Sequence, residues 1–448
     1  MDILESALAN EIGVITTNPA VEVTYFWRAD VHANDQVTPA IKVLSIDIVR
    51  DYETSFTDET IVTLVISAGK YAYRIYPYLK NLEITMYKEP LGETDGQPDN
   101  TRVIESERYV ATLIDPIAIN VAGNSANELD EASLDLTNLF ELKFQLINKS
   151  VDQVRMKTVG GIYRRCKVED VVKSILTMYS PKVEVQDNDI PLGVEMVPPS
   201  NQNVQEHIVI PHGTRLVDAP EYIHKHCSGI YTTGLSYYYQ ANNWYVFPPY
   251  DSSKFEHSDK TLTVVRLPAN RMPGIERTFR KDGNNLVILA TGDAQVKNES
   301  EALLLSSGNG VRFSDANQFM TTIVKKSGNK AIISRSDVSN EFISTQRPNG
   351  NNLVLPSSKR ITSNPWLEYS QLAAKNGSLI GLVWENSDPS LITPGMSVKI
   401  LYLDGEEIRQ IFGLVIKAHH YVSTRGSGIT VSRHTCSTGL TVFAQREY

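Results

Sequence analysis

Residues 140–147 read FELKFQLI. Phe140, Leu142, Phe144 and Leu146 fall on one face of an extended chain, and Glu141, Lys143 and Gln145 on the other. Successive side chains of a strand point to opposite faces, so this period of two marks a half-buried β-strand. The same pattern recurs upstream. Ala40–Asp47 (AIKVLSID) and Ile61–Ser67 (IVTLVIS) are rich in β-branched residues, which pack well on a pleated surface. Leu82–Tyr87 (LEITMY) and Arg108–Leu113 (RYVATL) alternate polar with apolar residues. Between them KEPLGETDGQPDNT, with its prolines and glycines, is expected to form a solvent-facing hairpin tip. Short strands at this spacing predict a barrel or a sandwich.

The period then changes. Val168, Val171, Val172, Ile175, Leu176 and Tyr179 lie on one face of a helix that Ser180-Pro181 ends. Glu169 and Asp170 occupy its first turn, where the helix dipole favours negative charge. Val159-Gly160-Gly161 breaks the chain before it. Residues 183–203 are polar and contain Pro191, Pro198 and Pro199, which reads as a linker. Ile208–Pro211 reads as a short strand entering a second helix, Asp218–Cys227, with Thr214 as its cap. Gly234–Pro248 (GLSYYYQANNWYVFP) reads as an aromatic hairpin with Asn242-Asn243 at the turn. Residues 261–355 carry short strands, Thr261–Leu267 and Asn285–Leu289, among Gly-, Asn- and Ser-rich loops closed by Asn349–Asn352. A short helix, Trp366–Lys375, leads into a last β block. There Ser397–Leu403 and Ile408–Lys417 form a hairpin around Asp404-Gly405, and Gly428–Thr435 and Leu440–Ala444 add two strands. The fold class expected is mainly β with some α (α+β).

Composition narrows the function. The 448 residues correspond to about two to four domains. Hydrophobic residues make up 41% and charged residues 21%, so a sizeable core forms without disulfides. Cys166, Cys227 and Cys436 are far apart and include no CxxC pair, which excludes a local zinc knuckle and argues for isolated thiols. The acidic start, MDILESALANEIG, lacks the basic region of a secretory signal. No run approaches the ~18–20 apolar residues of a membrane span, and Tyr109–Gly123 is interrupted by Asp115, Pro116 and Asn120. The expectation is a soluble chain made in the cytoplasm. A net charge of −9 opposes a tight grip on nucleic acid but suits a wall that nucleic acid slides past.

Catalytic signatures are lacking: the sequence holds no GxxxxGK[ST], HExxH, GxSxG or GxGxxG. Gly308-Asn309-Gly310 lacks the third glycine and reads as a turn. His207, His212, His224, His226 and Cys227 are chemically suited to zinc. However, His224 and His226 are two apart on a helix and diverge, so ordinary surface or interface histidines fit better. His419-His420 in a strand point to opposite faces, which predicts one buried ring and one exposed. The aromatics at 237–247 could stack on a sugar or a base, yet Gly234–Tyr250 holds no Lys or Arg, and a core or interface hairpin fits better. Val154–Lys167 (VRMKTVGGIYRRCK) carries Arg155, Lys157, Arg164, Arg165 and Lys167, a basic patch suited to an acidic partner or a solvated face. No catalytic, cofactor-binding or metal-binding residue is therefore expected.

Three segments resemble baseplate hub proteins of contractile-tailed bacteriophages: Ser67–Lys88 (SAGKYAYRIYPYLKNLEITMYK), Phe140–Leu176 and Ile208–Asp251. The order of elements is similar too, and the likeness extends to the related hub of type VI secretion spikes. It is weakest across 261–355. The resemblance implies a homotrimer in which each chain supplies two tail-tube-like β-barrels, so that three chains present a pseudo-sixfold ring. Such a ring joins the hexameric tail tube to the trimeric central spike, meets baseplate wedge proteins, and lines a lumen through which DNA passes. On this reading the barrels lie at 1–158 and 356–448. Between them come a helix and linker (159–204), a helix with the aromatic hairpin (205–260) and a loop-rich β domain (261–355). The last two are either free-standing or parts of a discontinuous barrel. No cell-wall hydrolase module is expected, since the chain stops soon after its last strand. The location implied is the virion tail baseplate, assembled in the host cytoplasm. Two alternatives stand beside it: another tail component such as a hexameric distal or tube-terminating protein, and a carbohydrate-binding or hydrolytic virion protein using residues 237–247.

Overall fold

A computed structural model describes residues 12–13, 15, 25–90, 105–114, 139–185, 189–227, 229–253, 255, 258–272, 278–292, 312–314, 323–327, 330–334, 354–356, 373, 377–404, 407–424 and 433–445. The fold is mainly β with a few helices. Among the described residues no helix is long and apolar enough to cross a membrane.

The strands predicted upstream of residue 150, joined by one the sequence reading missed (Tyr25–Ala33), build a closed barrel. Its members are β1 (Tyr25–Ala33), β3 (Lys42–Asp51), β4 (Glu59–Ser67), β5 (Leu82–Pro90), β6 (Glu105–Leu113) and β7 (Leu139–Asn148), with β2 (Gln36–Pro39) pairing β1. Two strands from the far end of the chain complete it: β22 (Glu407–Thr424) and β23 (His434–Gln445). The antiparallel circuit runs β1, β5, β6, β7, β4, β3, β22, β23 and back to β1 at Tyr25↔His434. The apolar face of the opening stretch points inward as its period requires, with Leu142, Phe144 and Leu146 buried. They pack with Val31, Val62, Leu64 and Ile84. A helical segment, 68–78, closes one end by burying Tyr71 and Ile75.

A second barrel uses the other halves of the same two strands. β13 (Thr261–Arg266) lies parallel to both β15 (Asn285–Ala290) and β21 (Ser397–Asp404), and β14 (Phe279–Asp282) edges β15. The path continues β21, β22, β23, β20 (Gly377–Glu385). It closes where Thr291 and Val383 exchange backbone hydrogen bonds of 2.9 and 2.7 Å. Strand β22 is 18 residues long. Its Asp404-proximal half pairs β21, its second half pairs β3, and the register shifts between Val415 and Lys417. Such an irregularity bends a strand and lets it pass from one barrel to the next.

A third block packs on the barrels. It contains α1 (Lys149–Val154), β8 (Thr158–Lys167), α2 (Val168–Tyr179), β9 (Gly193–Met196), β10 (Val204–Arg215), α3 (Ala219–His226), β11 (Ser236–Gln240) and β12 (Asn243–Phe247). The predicted stripe of α2 is buried from Val168 to Leu176. Strands β8 and β10 form a ribbon, and β11, β12 and β9 a small sheet whose β12–β9 pair is parallel. Two further pairs stand apart: β16 (Arg312–Ser314) with β19 (Val354–Pro356), and β17 (Ile323–Ser327) with β18 (Lys330–Ser334).

Several local expectations change. The stretch expected to be a linker, 183–203, contains β9, because parallel pairing with β12 satisfies its backbone. Thr214 belongs to β10 and donates to the Pro211 carbonyl, while α3 starts behind Asp218. The turn of the aromatic hairpin is Ala241-Asn242, both left-handed at φ 48° and 60°, and Asn243 already pairs with Gln240. That is the two-residue geometry whose twist matches the flanking strands. In place of strands on either side of Thr438, one strand spans His434–Gln445, since Thr438 is buried and hydrogen-bonded within the sheet. The expected solvent-facing tip, 88–101, begins inside β5, where Lys88 and Glu89 are buried; its remainder from residue 91, with Gly308–Gly310, Asn349–Asn352 and, Ala373 apart, the helix Trp366–Lys375, lies outside the described residues.

Candidate functional site

The three blocks meet at one polar junction, on the connection that leaves β20. Arg50, on β3 of the first barrel, is buried. A buried guanidinium is tolerable only when its donors are matched. Its Nε donates to Asp58 Oδ2 at 3.0 Å, and its Nη1 donates to the carbonyls of Pro389 (2.6 Å) and Ile392 (3.5 Å). Burial alone would lower its pKa, but Asp58 outweighs it and holds the group charged above its ordinary value. Asp58 also accepts from the Tyr238 hydroxyl at 2.8 Å, and Tyr238 meets Tyr52 edge to face at 4.7 Å. Gln240, beside them on β11, donates to the Ile392 carbonyl at 2.8 Å. One short stretch, the turn Pro389–Leu391 with Ile392 at its end, is thus held from the first barrel and from the third block at once.

His420 extends the junction. Its Nε2 lies 3.2 Å from Arg50 Nη1 and its Nδ1 2.7 Å from Thr438 Oγ1. Arginine can only donate, so Nε2 accepts and the proton sits on Nδ1. Burial, then the Arg50 charge, drive the ring well below its ordinary pKa and keep it neutral. Beyond it, Thr438 contacts Ser387 at 2.6 Å. A second clamp lies nearby. Lys88 of β5 reaches Asp388 at 3.1 Å with both side chains buried, and its ammonium stands 4.1 Å over the Tyr25 ring. Burial pushes the Asp388 carboxyl up, but Lys88 and Ser390 outweigh it and hold the group below the ordinary carboxylate value. These charges neutralise one another. The arrangement fastens the blocks to one another.

The residues singled out in the sequence scatter. His419 and His420 do face opposite ways: His420 is buried, and His419 is exposed and sits 2.5 Å from Asp47. His224 is buried and accepts from the Ile230 amide at 3.0 Å, whereas His207, His212 and His226 are exposed. Among the described residues no group of three or more His, Cys, Asp or Glu is placed to hold a metal ion. Cys166 and Cys227 are half-buried and Cys436 is buried. The aromatic hairpin is core: Tyr238, Tyr239, Trp244 and Tyr245 are buried, and the Trp244 indole donates to Ser180 Oγ at 2.9 Å. These buried rings have no face open to a sugar, and Tyr237 of the same hairpin is half-buried. In the basic segment Arg155 pairs with Asp152, and exposed Arg165 stands 3.8 Å from Glu206.

Sequence reasoning missed Arg50, Asp58, Lys88 and Asp388. Arg50 meets Pro389 across 339 positions and Lys88 meets Asp388 across 300, so no local pattern joins them. The visible trace was Asp388-Pro389-Ser390, a turn sequence whose Asp caps its own backbone by accepting from the Ser390 amide at 3.1 Å.

A groove of about 870 Å³ opens beside the third block. The loop between β3 and β4, helices α1 and α3, and residues 234–237 line it.

No family model matches the chain, and no curated protein does. Solved structures do. A tail protein from Neisseria meningitidis MC58 is 12% identical, with a TM-score of 0.43 over 93% of this chain and 96% of its own. The 43 kDa tail protein of prophage MuSo2 from Shewanella oneidensis is 8% identical, with a TM-score of 0.42 over 93% and 96%. An E. coli protein described as a component of the type VI secretion system is 8% identical, with a TM-score of 0.42 over 93% and 77%. Each of these likenesses runs along 93% of the chain.

Proposed function

We propose that this chain is a structural, non-catalytic baseplate hub of a contractile tail. In this reading it works as a homotrimer that joins the hexameric tail tube to the trimeric central spike. The observation that carries the reading is the pair of closed barrels fused through β22 and β23. Three such chains supply six barrel units, which lets a threefold assembly meet a sixfold one without a symmetry clash. The buried clamps at Pro389–Leu391 support it, because a rigid spacing between barrels is what such an adaptor needs. The net charge of −9 suits a lumen that DNA traverses without sticking. Baseplate wedge proteins would surround the ring.

The test is the symmetry of the assembled protein, from mass in solution and from averaged particle images. A trimer with six barrel-sized lobes around one axis is expected. A sixfold ring of whole chains would overturn the hub reading in favour of a tube-terminating protein.

A further inference from the structure

The first barrel carries unlike surfaces at the two ends of β3 and β4. At one end, after Ser67, the helical segment 68–78 exposes Tyr73 (55%), Tyr76 (38%) and Tyr78 (37%). Residues 68–82 contain Lys70, Arg74 and Lys80 and no carboxylate. Tyrosines with an arginine among them are the composition of interface anchors. At the other end, before Glu59, lies the groove of about 870 Å³. Glu53, Asp58, Glu59, Asp218 and Glu221 line it, together with apolar Phe56 and Leu235. Arg215 pairs with Asp218 at 2.6 Å, Lys225 with Glu221 and Arg50 with Asp58, so Glu53 and Glu59 are the lining carboxylates outside these ion pairs and carry the groove's negative charge. Glu59 is exposed at the mouth.

We infer that the tyrosine-bearing basic end of one copy docks into the acidic groove of the next copy of the same chain. The charges are complementary, and the groove offers apolar lining for aromatic rings. The two faces lie at opposite ends of the same strands, so the contact is head to tail. A head-to-tail contact closes into a ring when the rotation per copy permits, and this one names the faces that hold the proposed trimer. The inference rests on that trimeric reading.

The test uses the full chain and three surface variants: Tyr73→Ser with Arg74→Glu, Glu59→Arg, and Arg74→Glu with Glu59→Arg in one chain. Sedimentation equilibrium reads assembly, and circular dichroism confirms the fold. The first two variants should associate at least about tenfold more weakly than the wild type, and the charge swap should restore part of the loss. A wild-type trimer that both single-face variants leave intact overturns the inference and leaves the hub reading standing. A wild-type hexamer overturns the hub reading, and the same variants then decide separately whether these faces join the copies. Vesicle or oligonucleotide binding by segment 68–78 with assembly unaffected also counts against the inference.

Discussion

Acid should loosen this fold at three defined points. His224, His420 and His434 are buried, and each uses one ring nitrogen as an acceptor. His224 accepts from the Ile230 amide, and His420 from Arg50. His434 Nδ1 accepts from the Trp27 amide at 3.3 Å, while its Nε2 donates to the Val43 carbonyl at 2.9 Å. Protonation would set a donor against a donor in each case. Burial accordingly pulls His224 and His434 down from 6.5 to about 4, and holds His420 well below 6.5. Below 6.5 the unfolded chain binds these protons and the folded chain does not, so stability is complete above that value and falls with pH until the folded rings titrate. At about pH 5 His224 and His434 each contribute a loss of about 2 kcal/mol, together about 4 kcal/mol, and His420 adds to it in the same direction. That approaches the whole net stability of many domains, about 5–15 kcal/mol. Glu107, raised above 4.5 by burial, works in the opposite sense and trims the loss. Urea midpoints at about pH 7.5 and 5, at fixed salt, measure the effect. Replacing His434 with Gln should remove about 2 kcal/mol of the difference. Equal midpoints at the two pH values would refute the reasoning, as would a His434→Gln variant with an unchanged pH dependence.

Other expected outcomes follow from the junction and the strand crossings. Arg50→Met removes the buried donor shared by half-buried Asp58, the Pro389 carbonyl and His420, and should cost about 3–5 kcal/mol in denaturant unfolding. Adding Asp58→Leu should recover part of that loss, since the two residues share one bond. Trp244→Ala should destabilise by about 3–5 kcal/mol through loss of core volume and leave no glycan affinity to abolish, checked by thermal unfolding and a glycan array. Gly413→Ala should cost about 1–3 kcal/mol, because its Cβ would stand 2.5 Å from the Phe443 carbonyl oxygen where β22 crosses β23; a soluble variant of wild-type stability would contradict this.

Much of the fold was legible locally. FELKFQLI announced a strand with its buried face, and Leu142, Phe144 and Leu146 lie on it. The α2 stripe was legible for the same reason: a helix that buries one side must repeat its apolar residues every three to four positions. The opposite fates of His419 and His420 followed from strand alternation alone. Local signals misled where a tertiary partner supplied what the sequence lacked. Prolines around 191–199 suggested a linker, yet β12 offers β9 a parallel neighbour. Aromatics at 237–247 without an interleaved Lys or Arg fitted a core hairpin better than an open platform, and the Trp244 indole does donate to Ser180 inside the core.

By itself, then, the sequence determined the strand-rich character, the main helix faces, the acidic balance and the lack of familiar catalytic motifs, because all of these depend on residues within a few positions of one another. Tertiary structure alone decided that β22 and β23 serve two barrels, and that Arg50, Asp58, His420 and the Pro389–Leu391 turn form one fastening. Those pairings close loops of up to several hundred residues. Which strand edge finds which is set by burial and hydrogen-bond satisfaction over the whole chain, and no periodicity records it.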